Sequence, residues 1–317
     1  MHPNLDDYDL PANIAAISYI LPSEAYSQYP GHPYEVCPDA VYPPKNVTAI
    51  TNLEFTPPIA TQLHDLRGYE DLVEFDEDTV FGLLKTGGAN RRRNMPDVIR
   101  DAPEGPDRTQ EAKEWISEIM IPFLTESMGA EKVFCYNVAF RHNVREPGSD
   151  LNGYPCGSTT QSATLNPHAD HTTEGGLRRI RYELPHSDLK KYDSPSCRLR
   201  VVNAWVPLVD TVQDAPLAFC DPRSVDPKDL ILSKRYTGAY TGELWYLAHN
   251  PDQKWYWLSE QKPDEIFVFQ TFDTKNEKRR LSDRKFVAHS AFINPKAPTN
   301  APPRRSLEAR FIVMSKR

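Results

Sequence analysis

Arg304-Arg305-Ser306-Leu307-Glu308-Ala309-Arg310-Phe311-Ile312-Val313-Met314 alternates polar and apolar side chains from Ser306 through Phe311. In an extended chain residues two apart share a face, so Arg304, Ser306, Glu308 and Arg310 lie on one side and Leu307, Ala309 and Phe311 on the other. The stretch reads as a strand with a charged face. Buried arginines require anionic partners. Two sources are open: Glu308 in the same strand, on an outer solvated face, or a bound anion.

About fifteen residues upstream stands His289, and much earlier His168-Ala169-Asp170. Two imidazoles and one carboxylate can occupy one face of an Fe(II) ion and leave the opposite face open. The H-x-D spacing suits a strand, because alternate side chains reach one ion together. The triplet is weak by itself, since nine histidines and 44 acidic residues make roughly one such match by chance. His186-Ser187-Asp188 is a second copy, but it follows Pro185 and leads into a polar stretch, so it reads as a turn or short surface helix. His168 after Asn166-Pro167 also fits a loop residue bonded to Asp170, and His171 points away from the metal face. The arginine strand tips the balance toward a metal. A dicarboxylate such as 2-oxoglutarate would meet a guanidinium at one end and chelate the ion with its keto acid end.

The surrounding sequence is rich in β-branched and aromatic runs: Lys132–Arg141, Leu199–Pro207, Leu244–Leu247, Lys254–Leu258, Ile266–Phe269, Lys285–Phe292 and Ser306–Met314. No helices alternate with them, which excludes a doubly wound α/β fold. The expected fold is mainly β with flanking helices, a double-stranded β-helix (jelly-roll, cupin-like) barrel whose mouth is a natural ligand site. One clear helix spans Asp107 to Gly129, with Asp107 and Gln110 as a capping box, Gly129 as the C-cap, and Trp115, Ile116, Ile119 and Phe123 as the apolar face. Prolines crowd the first hundred residues, so that segment is expected to wrap extended over the core, with Tyr26, Tyr29 and Tyr34 in contact. The expected organisation is a single domain over 1–317, with a Pro-rich wrap at 1–106, the helix at 107–129 and the catalytic core at 130–317.

Lys and Arg number 37 against 44 Asp and Glu, a net charge of −7. Long-range attraction for nucleic acid or an anionic membrane is therefore not expected. The basic run Asn90-Arg91-Arg92-Arg93-Asn94 reads as a solvated loop. Five scattered cysteines form no C-x-x-C pair, so they read as reduced thiols rather than a disulfide framework or zinc site. Neither a leader nor a membrane span is evident, and a cytoplasmic protein with a small-molecule substrate is the expectation.

Several blocks in order carry a resemblance: Val202-Asn203-Ala204-Trp205-Val206-Pro207-Leu208, Pro216 to Asp221 with Arg223-Ser224-Val225, Trp255-Tyr256-Trp257, Phe269 to Asp273, His289-Ser290-Ala291-Phe292 and the arginine strand. From about residue 130 onward the chain resembles the fungal and bacterial hydroxylase/desaturase group of Fe(II)/2-oxoglutarate-dependent oxygenases. That group includes the asaB-type enzymes, gibberellin desaturase and the cephalosporin 7-methoxylating protein. The resemblance implies iron ligation by His168, Asp170 and His289, and 2-oxoglutarate binding by Arg304 with Ser306 and Arg310 in support, with O2 as cosubstrate. It implies hydroxylation, desaturation or oxidative ring closure at an unactivated C–H bond of a small secondary metabolite or amino acid. The chain departs from the group at Val206, where arginine is usual, at Thr274, where serine is frequent, and at Arg305, where an acidic residue is usual. Arg305 leaves open which guanidinium grips the cosubstrate.

Arg141, Trp205, Phe219 and Trp257 are candidate substrate contacts, with Trp245 a weaker one; aromatic strand residues more often fill cores. Two other classes share the ligands: a cupin-like metal-dependent hydrolase or isomerase, which has no use for the arginine strand, and a noncatalytic metal-binding protein.

Overall fold

Fifteen strands build the molecule: β1 (Ala12–Ile17), β2 (Tyr34–Val36), β3 (Ile59–Asp65), β4 (Phe81–Lys85), β5 (Lys132–His142), β6 (Thr160–Gln161), β7 (His168–Ala169), β8 (Cys197–Pro207), β9 (Leu217–Cys220), β10 (Leu230–Thr237), β11 (Tyr240–Leu247), β12 (Trp255–Trp257), β13 (Glu265–Asp273), β14 (Ala288–Ala291) and β15 (Arg305–Lys316). The computed structural model describes residues 4–28, 31–37, 39–42, 50–76, 79–85, 99–100, 106–143, 160–276 and 286–317, and counts refer to these. Tyr29, the basic run at 90–94 and Cys156 lie outside them.

The strands form two sheets. One has nine strands in the order β1-β3-β12-β9-β14-β7-β11-β10-β2, the other six in the order β4-β13-β8-β15-β5-β6. Each of the seven predicted runs contains a strand, the sixth only over Ala288–Ala291, with Lys285 outside the described residues. The N-terminal segment does more than lie extended: β1 and β3 pair antiparallel, and β3 joins β12, so they form one edge of the larger sheet. Tyr26 is buried, and its hydroxyl donates to the Glu54 carbonyl at 3.0 Å.

The inner faces of the sheets meet in an aromatic core. Trp205, Phe267 and Phe269 from the smaller sheet pack with Leu217, Phe219 and Tyr256 from the larger. On its other face the smaller sheet carries the predicted helix, with Trp115, Ile116, Met120 and Leu124 against Val202, Ala204, Leu307, Ala309 and Phe311. Each such side chain contributes about 1.5–3 kcal/mol by leaving water.

That helix is not continuous. It divides into α1 (Pro106–Trp115), a wider π-type turn at Ile116–Met120, and α2 (Ile121–Ser127). Pro122 is the physical reason: it donates no N–H and its ring clashes with the carbonyl four residues back, a conflict that a widened turn relieves. Gly129 terminates the helix at φ +56, as expected of a C-cap glycine. Of the expected capping box, the Gln110 side chain donates to Glu114 at 2.9 Å, and the Asp107 side chain lies outside what is described.

Two further helices follow β7. α3 (Thr173–Glu183) starts on Thr172, whose hydroxyl accepts from the Gly175 N–H, and α4 (His186–Tyr192) is the short helix expected around the second H-x-D copy. There Asp188 takes both its bonds from Lys132 Nζ, at 2.8 Å, which removes it from metal ligation. One cysteine expectation is corrected: Cys37 is disulfide-bonded, to a partner outside the described residues, while Cys135, Cys197 and Cys220 are free. A bridge between segments distant in sequence leaves no spacing motif to read. Among the described residues no helix is long and apolar enough to cross a membrane.

Candidate metal centre

β7 is only two residues long and is wedged between β14 and β11, and that wedge brings the site together. In the β7–β14 ladder His168 is the register partner of His289, and Asp170 follows at the strand end. The two rings lie 4.5 Å apart between centroids. Asp170 Oδ1 is 3.5 Å from His168 Nε2 and 3.9 Å from His289 Nε2. One ligand atom from each residue falls within 4.8 Å of the others, and this is a group of three with metal-ligating geometry among the described residues.

The tautomers suit a cation. His168 Nδ1 bonds the Asn166 carbonyl at 2.8 Å and His289 Nδ1 the Val287 carbonyl at 3.3 Å. A carbonyl only accepts, so each Nδ1 carries a proton, which leaves Nε2, the ring atom facing Asp170, as the one able to ligate. Burial, reinforced by His168, lowers the His289 pKa to about 4, so its ring is neutral. Burial alone raises the Asp170 carboxyl, but its contact with His168 and the proximity of His289 and Arg310 hold it well below the usual carboxylate range. The donor set is two imidazoles and one carboxylate, which fits Fe(II). His171 stands beside this set rather than in it: buried, lowered to about 4 by that burial, and bonded through Nδ1 to Thr271 Oγ1 at 3.1 Å.

The arginines of the last strand divide. Arg304 is 2% exposed, and its Nη1 donates to the Ala215 carbonyl at 2.8 Å. Its Nε has no partner, and neither has the buried hydroxyl of Ser306 on the same face. Burial and then the charge of Arg141 push the Arg304 guanidinium down to about 9. A buried cation, an orphaned donor and an orphaned hydroxyl lie side by side here, an arrangement that an anion would satisfy. Arg310 is already occupied, donating to Asn137 Oδ1 at 2.6 Å and Glu308 Oε1 at 2.8 Å. Glu308 also takes two bonds at 3.1 Å from Arg141. For Arg310, then, the in-strand carboxylate is the partner. Arg305 faces the other way and donates to the Arg100 carbonyl.

A cavity of about 340 Å³ opens beside His168 and Asp170, walled by Tyr136, Arg141, His171, Arg179, Arg235, Tyr240 and Arg310. Of the four candidate substrate contacts only Arg141 reaches it. Trp205 and Phe219 are buried in the core between the sheets, with Phe219 stacked on Phe81 at 5.1 Å. Trp257 packs edge-on against Phe292, and Trp245 lies partly buried against the same cluster. Sequence reasoning missed Arg179, Arg235 and Tyr240, which carry no local signal, and Asn203, which donates to Asp170 Oδ2 at 2.7 Å. A larger cleft, about 660 Å³, is lined by Tyr19, His64, His249 and Trp255 and includes none of the three.

Known proteins resemble the chain in sequence and in fold. A family model described as an oxidoreductase/YMDC permease-like domain matches residues 17–314. The Fe(II)/2-oxoglutarate-dependent dioxygenase nvfI of Aspergillus novofumigatus is 31% identical over 191 residues, and the hydroxylase/desaturase efuI of Hormonema carpetanum 32% over 216. These matches cover 60% and 63% of this chain, and 62% and 70% of the relatives, so the first spans less than two thirds of its relative's length. A solved structure of the iron and alpha-ketoglutarate-dependent endoperoxidase NvfI superposes with a TM-score of 0.71 at 24% identity, covering 96% of this chain and 99% of that one. The overall arrangement of strands and helices is therefore shared with that protein.

Proposed function

Because the chain belongs to the oxidoreductase/YMDC permease-like domain family and is a homologue of Fe(II)/2-oxoglutarate-dependent dioxygenases and hydroxylase/desaturases, we propose that it oxidises an unactivated C–H bond of a small secondary metabolite or amino acid, releasing succinate and CO2. The outcome is hydroxylation, desaturation or oxidative ring closure. The observation that carries this is the pairing of a convergent His-Asp-His set with an orphaned, buried Arg304–Ser306 site. A hydrolase or isomerase needs the first and has no use for the second.

In this reading His168, Asp170 and His289 hold Fe(II), and Arg304 with Ser306 holds the distal carboxylate of 2-oxoglutarate. When bound, the metal and its cosubstrate supply the oxygen-dependent chemistry. The protein's own residues supply the rest. Asn166 and Val287 orient the imidazoles, Glu308 pairs with both Arg141 and Arg310 next to the ligands, and Phe219 and Phe269 pack against His289 from the interior and exclude water there. Arg141 belongs to the substrate cavity, while Arg310 acts through Glu308.

The same reading takes the two facing sheets as a double-stranded β-helix in a single domain, and the location as cytoplasmic, which cell fractionation checks. Succinate release and O2 uptake, measured with and without Fe(II) and with 2-oxoglutarate as cosubstrate, test the activity. Succinate formed in equal amount without iron overturns it.

A further inference from the structure

Asn203 sits on β8, opposite Arg310 of β15 and Phe269 of β13, and is fully buried. Its Nδ2 carries two hydrogens, and each goes to a different carboxylate: Asp170 Oδ2 at 2.7 Å and Glu308 Oε1 at 3.0 Å. The amide orientation is dictated by charge, since a flipped side chain would set its oxygen between two carboxylates. Its own Oδ1 is left without a partner, so the residue gives up one hydrogen bond to keep this arrangement. Glu308 cannot swing aside, because Arg141 grips Oε2 and Arg310 grips Oε1.

The consequence falls on Asp170. One of its oxygens is tied to Asn203, and the other, Oδ1, is the one facing both histidine Nε2 atoms. From this geometry we propose that Asn203 is a positioning residue that makes Asp170 a one-oxygen metal ligand, its amide held in turn by the Arg141–Glu308–Arg310 cluster. The inference rests on reading Asp170 as a ligand. It adds a part that the ligand triad alone does not contain: a neutral donor bridging the metal carboxylate to a fixed ion-pair cluster on the neighbouring strand.

Anaerobic titration of the full-length apoprotein with Co(II), followed by its visible absorption, tests this. Asn203→Leu keeps the approximate shape and removes both donors, and the expected result is Co(II) binding weakened about 10–100-fold with an altered visible spectrum. Asn203→Ser, which serves one carboxylate at most, is expected to fall between Leu and the parent. A folded variant, judged by near-ultraviolet circular dichroism, that binds Co(II) within twofold of the parent with the parent's spectrum overturns the proposal. Should neither variant fold, X-ray absorption of the Co(II)-loaded parent decides, since an Asp170 bound through both oxygens overturns the one-oxygen role proposed for it. Asp170→Ala is the control: undiminished Co(II) binding there sinks the ligand reading itself rather than the role of Asn203.

Discussion

His168 and His289 face each other as register partners on adjacent antiparallel strands, their rings 4.5 Å apart. Strand pairing alone therefore brings together two imidazoles that are far apart in sequence. His289 is further fixed by the Phe269 ring at 4.7 Å, so it has little freedom to serve any role but the one its Nε2 faces. His289→Ala is expected to abolish stoichiometric Fe(II) binding and turnover while the sheet persists. Metal content after anaerobic loading and desalting is the measurement. The loss should exceed the roughly 10–100-fold typical of residues that merely support a ligand, and undiminished iron in a folded variant would exclude the site.

Arg304 and Arg310 lie on the same side of the last strand segment, yet of the two only Arg304 has a buried guanidinium nitrogen without a partner. Removing one partner of a buried charged contact costs about 2–5 kcal/mol, which is about thirtyfold or more in affinity. Arg304→Ala is therefore expected to weaken 2-oxoglutarate binding by at least about thirtyfold, measured by anaerobic calorimetry with Mn(II) in place of iron. Arg310→Ala should change the same constant only a few-fold. The reverse order would transfer the cosubstrate to Arg310.

Two buried histidines set the expected pH dependence of the apoprotein. His171 and His289 are lowered from 6.5 to about 4 by burial, so between these values the unfolded chain takes up protons that the folded protein refuses. Stability then falls as pH drops from 6.5 toward 4, by about 1.4 kcal/mol per pH unit for each residue within that window. Asp170 and Glu308, held below their usual range, add losses at still lower pH. Urea unfolding at several pH values checks this, and His171→Gln should flatten the slope by roughly one residue's share. An unchanged slope in that variant would show that His171 does not titrate as a buried group.

The parts of this site that were legible in the sequence are those written in a period of two. The candidate pair His168/Asp170 and the face shared by Arg304, Ser306, Glu308 and Arg310 follow from strand alternation once the stretches are taken as strands. What escaped depends on how strands sit beside one another. Asn203 looks like any polar residue in a β-rich run, and only the register of β8 against β15 gives it two carboxylates. The helix α3 was hidden by Gly175 and Gly176, which lower helix propensity. A signal for it was nonetheless present: Thr172 as a cap, followed by Leu177, Ile180 and Leu184 on one face.

Those two glycines allow a final, directional expectation. A Cβ on Gly175 would lie 2.2 Å from the Glu243 carbonyl oxygen, and one on Gly176 would lie 2.2 Å from the Phe272 ring. Alanine in a helix is ordinarily favoured over glycine by roughly 0.5–1 kcal/mol, so the sign depends on whether the neighbour can yield. The Phe272 side chain can rotate, whereas the Glu243 carbonyl belongs to β11 and also accepts from the Thr172 N–H at 3.0 Å. Gly175→Ala must therefore push α3 away from β11 and strain the short segment joining Asp170 to Thr172. We expect a net loss of about 1–3 kcal/mol for Gly175→Ala, a smaller loss for Gly176→Ala, and weaker Co(II) binding in the former alone. Urea midpoints at unchanged slope and a metal titration on each variant check the order. If Gly176→Ala proves the more damaging, the Phe272 ring, not the β11 backbone, is the rigid wall against which the helix is seated.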